Sequence, residues 1–291
     1  MTARFQHRVV LITGGSSGIG RATALAFARE GATVVIAARS PEAGAEVVRE
    51  ITASVNTPVR FIPTDVTSPT DCQALVSSIM DSFGRLDVLV NNAGVIVREK
   101  TVVDTTPEEW DLTFDVNVKG TYLMSRAAIP AMMGSISDDG LSVGSGTMEA
   151  DDGAGAPTPS PGAERVPASS GAAIVNNASY LGVVGGRGVA AYSAAKGAVV
   201  NLTRAMALDH AGDGIRVNCV APGSVETPML RQEWEEMGGE ALVRHLFEEK
   251  HPMGRISQPE EIARVILFLA SPDASFINGA CIPVDAGITA G

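Results

Sequence analysis

Histidine and cysteine are scarce in this chain, and the scarcity excludes several chemistries. The four histidines, His7, His210, His245 and His251, are scattered with no metal-ligand spacing, so no metal site is expected. The three cysteines, Cys72, Cys219 and Cys281, lie far apart, contain no C-x-x-C and are odd in number. They read as small core hydrophobes in a reducing compartment, not as a disulfide framework. No apolar stretch approaches the ~18 residues of a membrane span. Met1 to His7 leads straight into a strand-like run without the pattern of a secretory signal, so a cytoplasmic location is expected. Basic residues are outnumbered, with 22 Lys and Arg against 33 Asp and Glu, for a net charge of -11. No cluster of Lys or Arg offsets this, so neither nucleic acid nor a membrane surface is an expected partner.

What is present is apolar and periodic. Hydrophobic residues make up 45% and charged residues 19% of the 291, which excludes disorder of the whole chain. Arg8–Thr13, Thr33–Ala38, Val59–Ile62, Leu86–Val90, Ala172–Asn176, Ile215–Val220 and Cys281–Val284 read as seven short strands. Helical patterns alternate with them. One covers Arg21 to Glu30, others open at Ser40-Pro41 and Ser68-Pro69, and a long one runs from the capping box Thr106–Glu109 to Met133. Two more cover Ala190–Asp209 and Pro259–Leu269. This order predicts an α/β fold, with one Rossmann-type, doubly wound parallel sheet and helices on both faces, in a single domain over 1–291. Residues 134–170 break the rhythm. They are rich in Gly, Ser, Pro and Ala, hold six acids against Arg165, and read as a disordered surface insertion away from the ligand crevice.

Several motifs carry chemistry. Thr13-Gly14-Gly15-Ser16-Ser17-Gly18-Ile19-Gly20 follows the first strand and opens a helix. Glycines there permit a tight turn, and a helix N-terminus offers free N–H groups to a pyrophosphate. Asn91-Asn92-Ala93-Gly94 ends the fourth strand, and Asn117 sits in the long helix. Ser179 precedes Tyr192 by thirteen positions, and Lys196 completes Tyr-x-x-x-Lys. Pro222-Gly223, Val225 and Thr227 follow the sixth strand. Tyr192 and Lys196, four apart, share one helix face. An ammonium beside a phenol favours the phenolate, which would bring Tyr192 down from about 10 toward working pH. Taken singly, each of these residues reads as an ordinary cap, packing group or solvated side chain.

Taken together, in this order and spacing, they resemble the short-chain dehydrogenase/reductase family, over the whole chain except the insertion. The resemblance implies an oxidoreductase that interconverts a secondary alcohol and a ketone by hydride transfer. It implies that Tyr192 is the acid/base and that Lys196 also bonds the nicotinamide ribose. Ser179 would hold the substrate oxygen, and Asn117 would hold a water in a proton relay. Gly14, Ser16, Ser17, Gly18, Ile19, Gly20, Asp65, Val66, Asn91, Asn92, Ala93, Gly94, Pro222, Gly223, Val225 and Thr227 would contact the cofactor. It also implies a homotetramer or homodimer, with Ala286 departing from the glycine usual near the family's C-terminus. The insertion starts at the end of an implied interface helix and is expected to decorate the assembly edge or to recruit a partner.

The second strand ends Ala37-Ala38-Arg39-Ser40. An acid at Ala38 would bond the adenosine ribose and repel a 2′-phosphate. Its absence, with Arg39 and Ser40 next, points to NADP(H) over NAD(H). The resemblance implies that residues 224–252 form a substrate lid, with Met229, Leu230, Trp234, Met237, Leu242 and Phe247 either facing substrate or packing on their own domain. Tyr180, Leu181, Val183 and Arg187 are candidate pocket residues. Two rival readings stay open: a 3-oxoacyl thioester reductase acting on an acyl carrier protein, and a non-catalytic NADPH-binding scaffold or redox sensor.

Overall fold

The computed structural model describes residues 3–138 and 171–291. Seven strands form one sheet: β1 (Val9–Thr13), β2 (Thr33–Ala38), β3 (Val59–Pro63), β4 (Val88–Asn91), β5 (Ala172–Asn177), β6 (Ile215–Pro222) and β7 (Cys281–Val284). Their order is β3-β2-β1-β4-β5-β6-β7, and every neighbouring pair is parallel. The inner strands are apolar at successive positions because both faces are covered. In β1, Val9 and Leu11 join one core while Val10 and Ile12 join the other. The first core is closed by α3 (Pro69–Phe83), α5 (Gly120–Asp138) and α6 (Ala190–Asp209). The second is closed by α1 (Gly18–Arg29), α2 (Pro41–Ser54) and α9 (Pro259–Ala270). Among the described residues no helix is long and apolar enough to cross a membrane.

Two boundaries differ from the sequence pattern in ways that matter for the site. First, α1 begins at Gly18, three residues before the expected Arg21, so the glycine loop is itself the helix N-terminus. Second, the long helix is broken. Following the capping box, α4 covers Pro107–Phe114, a π-helical turn covers Asp115–Lys119, and only then does α5 start. Asn117 lies in that turn, and π-turns inside helices recur at functional sites. Helix α5 continues to Asp138, so residues 134–138 are helical and do not belong to an irregular insertion. The rest of the expected insertion lies outside the described residues.

Candidate active site

Strand order reverses at β1, whose neighbours are β2 and β4, and a crevice opens there at the C-terminal ends of the strands. A cavity of about 600 Å³ occupies it. Its floor is made by Gly14 after β1, Asn92–Gly94 after β4, Asn177–Ser179 at β5 and Pro222–Gly223 at β6. Hydrogen bonds stitch these strand ends together. Thr13 Oγ1 accepts from the Asn92 and Ala93 amides at 2.9 and 3.1 Å. The Asn92 side chain donates to the Thr13 and Gly14 carbonyls and accepts from Asn177 Nδ2 at 2.9 Å.

The glycine loop fits an anionic, pyrophosphate-bearing group. Ser17 stands at the N-cap of α1 but its side chain makes no capping bond, unlike Ser40, Ser68 and Thr106 at the starts of α2, α3 and α4. The first N–H groups of α1 therefore lack a side-chain cap at the end of the helix that favours negative charge. Gly18 has φ +49, and a Cβ there would lie 3.0 Å from Thr227 Cγ2. A Cβ on Gly20 would lie 2.2 Å from the Gly14 carbonyl oxygen, so only glycine lets α1 sit this close behind the loop. Thr227 also caps the next helix, α7 (Pro228–Glu236), by accepting from the Leu230 amide.

Tyr192 and Lys196 project from α6 into the cavity, and Lys196 Nζ lies 5.6 Å from the Tyr192 ring centre. Lys196 is buried and donates to the Asn177 carbonyl at 2.8 Å. Burial lowers it to about 8. Burial raises Tyr192 to about 12, while hydrogen bonding to the Ser179 side chain and the nearby Arg98 cation pull it down. The sequence alone predicts a phenol pulled down toward working pH by the ammonium; in the fold, desolvation outweighs the charges around it. Ser179 caps a short 3-10 turn, accepting from the Leu181 amide at 3.2 Å.

Asn117 is almost fully buried. Its Nδ2 donates to the Val95 and Thr113 carbonyls, each at 2.8 Å, and its Oδ1 accepts from the Val95 amide at 3.3 Å. The side chain is thus committed to holding the loop after β4.

Of the other expected cofactor residues, Gly14, Ser17, Gly18, Ile19, Asn92, Ala93, Gly94, Pro222, Gly223, Val225 and Thr227 line the cavity. Ser16, Gly20, Arg39, Ser40, Asp65, Val66 and Asn91 do not. Asn91 is buried and donates to Ser125 and Asn176. Val66 is buried, and Asp65 accepts from both the amide and the hydroxyl of Thr67, which lowers its pKa. Ser40 caps α2. Arg39 is exposed at the end of β2, close enough to Asp65 for its charge to act on that carboxyl.

The cavity is roofed by α7 and α8 (Glu240–Glu249). Met229, Leu230 and Phe247 face it, while Trp234, Val243 and Ile256 pack with Leu230 and Phe247 into a separate small core. Leu242 is exposed. Tyr180, Leu181 and Arg187 line the cavity; Val183 is exposed and does not. The sequence pattern had singled out neither Arg98 nor His251. Arg98, on the loop after β4, pairs with Glu233 of α7 at 2.9 Å. Buried His251 accepts from the Ser224 amide through Nε2 at 3.0 Å and bonds the Phe247 carbonyl through Nδ1, tying α8 to the end of β6. Neither lies in a distinctive local motif.

Comparison with known proteins agrees with this geometry. Residues 8–148 match a family model described as short chain dehydrogenase, and residues 162–289 match one described as Enoyl-(Acyl carrier protein) reductase. The meso-2,3-butanediol dehydrogenase of Serratia marcescens is 38% identical, over 99% of this chain and 96% of its own. The chain belongs to the short-chain dehydrogenase/reductase family. The 3-oxoacyl-[acyl-carrier-protein] reductase of Thermotoga maritima is 35% identical over 98% of this chain and 99% of its own. The crystal structure of a short-chain type dehydrogenase/reductase from Mycobacterium marinum superimposes with a TM-score of 0.82 at 32% identity, covering 100% of this chain and 98% of that one. Membership makes this chain an oxidoreductase acting on alcohols with a nicotinamide cofactor, NAD or NADP.

Proposed function

We propose that the chain interconverts a secondary alcohol and a ketone, with NADP(H) preferred over NAD(H). The observation that carries the reading is the convergence of Ser179, Tyr192 and Lys196 in one cavity beside the uncapped start of α1. When bound, the nicotinamide supplies or accepts the hydride. The α1 amides hold its pyrophosphate, and Lys196 bonds its ribose. Ser179 donates to the substrate oxygen and stabilises charge that develops there. Tyr192 keeps its proton up to about 12, so at neutral pH it is a donor poised to protonate an alkoxide as it forms. The Lys196 ammonium stabilises the phenolate that results. Asn117 positions the loop bearing Gly94 and Val95 against the cofactor. Arg39 carries no hydrogen bond or ion pair among the described residues and is free for a 2′-phosphate. Helices α7 and α8 serve as the lid.

The test is cofactor consumption across ketones, quinones, ketosteroids and acyl thioesters, with NADPH, NADH and a Tyr192→Phe control. Turnover should fall at least a hundredfold in the Phe variant, with cofactor affinity kept. Turnover that survives this substitution would refute the assignment of Tyr192. Two observations favour a second reading, acyl-thioester reduction. They are the kinship with a 3-oxoacyl reductase and the exposed Arg187 and Lys250 at the cavity rim, which could meet an acidic carrier. Preference for the thioesters in the same panel would select it.

A further inference from the structure

The three cysteines lie far apart in the sequence, but the sheet brings two of them together. Strands β6 and β7 are parallel neighbours in which Cys219 stands directly opposite Cys281. Neighbouring strands lie about 4.8 Å apart, and residues directly opposite each other put their side chains on the same face. That spacing falls within the roughly 4.4–6.8 Å between Cα atoms that a disulfide bridges. Both cysteines are free, and Cys281 packs against the small core formed by Cys219, Ala178, Val199 and Val200. The third, Cys72, is buried on α3 and bonds the Val66 carbonyl.

The two paired thiols differ in the way a reactive pair requires. Cys219 is fully buried, whereas Cys281 is partly exposed on β7, the edge strand of the sheet. The Cys219 thiol donates a hydrogen bond to the Cys281 sulfur, which holds the Cys219 proton in place and favours the Cys281 thiolate. The Arg204 cation of α6 favours that thiolate further. Burial, by contrast, raises Cys72 to about 11. The thiolate is the nucleophile, so Cys281 is the sulfur that reacts first. A more acidic, more accessible thiol with a second thiol beside it is the arrangement that redox-sensitive cysteines share.

We propose that Cys219 and Cys281 form a peroxide-reactive dithiol that closes to a disulfide across β6 and β7. The Cys281 thiolate attacks one oxygen of hydrogen peroxide. An S–O bond forms, the O–O bond breaks, and the leaving hydroxide takes up the proton that Cys281 released and becomes water. The Cys219 sulfur then attacks the sulfenic acid on Cys281. An S–S bond forms, the S–O bond breaks, and the departing hydroxide leaves as water with the proton of Cys219. Two thiols together lose two electrons, and the peroxide is reduced to two waters. The bond cross-links the edge strand to the strand whose end, Pro222–Gly223, floors the cavity. None of this chemistry requires turnover of an alcohol or a ketone.

Hydrogen peroxide added to the reduced, full-length protein tests this. After the peroxide is removed and the protein is alkylated in denaturant, free thiols should fall from three to one, and the survivor should be Cys72. Mass mapping should find the Cys219 and Cys281 peptides joined, and dithiothreitol should restore both thiols. In Cys219→Ala, Cys281 should accumulate as a sulfenic acid that dimedone traps. In Cys281→Ser, Cys219 should stay a thiol. A thermal melt checks that the variants are folded, and the wild-type mapping decides by itself if one is not. Three thiols left in peroxide-treated wild type would overturn the inference. So would oxidation that falls on Cys72 as readily, a bond that joins two chains, or Cys281 oxidised past the sulfenic acid with Cys219 still free.

Discussion

Replacing Asn117 with alanine separates two roles for this residue, loop positioning and proton relay. The side chain makes three hydrogen bonds, two of them to Val95 and one to the Thr113 carbonyl. Alanine leaves the Val95 N–H and C=O without these partners. An unmade hydrogen bond costs about 1–3 kcal/mol when fully buried. Val95 is half-buried, so water recovers part of that, and the variant should lose about 2 kcal/mol in all. The loop it frees is the one that carries Asn92 to Gly94 into the cavity. Cofactor affinity should therefore fall by about tenfold, the equivalent of 1.4 kcal/mol. Urea unfolding measures the first quantity and fluorescence titration with NADPH the second. Asn117→Asp keeps the acceptor for the Val95 amide but turns a buried carboxylate oxygen toward the Val95 and Thr113 carbonyls, so it should be at least as destabilised as alanine. If the alanine variant unfolds at the wild-type urea concentration, binds NADPH as wild type does and loses only kcat, positioning is wrong and a relay role replaces it.

Two more outcomes follow from the same geometry. Arg39→Ala should lower kcat/KM with NADPH by about tenfold or more while leaving NADH nearly unaffected, because the change removes one charge-assisted contact to the 2′-phosphate; an equal loss with both cofactors would contradict that role. For ketone reduction, kcat/KM should hold steady below pH 7 and fall as pH rises through about 8, where Lys196 loses the charge that stabilises the Tyr192 phenolate. The direction follows from the lowered lysine value, since the ammonium is present below it and absent above. A profile flat to pH 10 would show that this charge is not used.

The strands and most helix starts were legible in the sequence because each follows from local chemistry. Apolar runs such as Val9–Thr13 have to be buried on both faces, and Ser-Pro or Thr-Pro pairs cap and start α2, α3 and α4. The spacing of Gly14 to Gly20, Asn117, Ser179, Tyr192 and Lys196 likewise marked the candidate site before any contact was known. Tertiary structure decided what local pattern cannot encode. The Asn117 side chain, in the π-turn, bonds Val95 on the loop after β4, and no helical periodicity foretells that partner. Burial raises Tyr192 to about 12, and this desolvation by surrounding elements outweighs the Ser179 hydrogen bond and the Arg98 cation, which comes from a distant loop. Arg98 and Glu233 lie far apart in the chain, and only the packing of α7 against the loop after β4 makes them an ion pair. Sequence determines which groups a chain can offer locally; long-range packing sets their charge states and their partners, because burial and proximity are properties of the assembled fold.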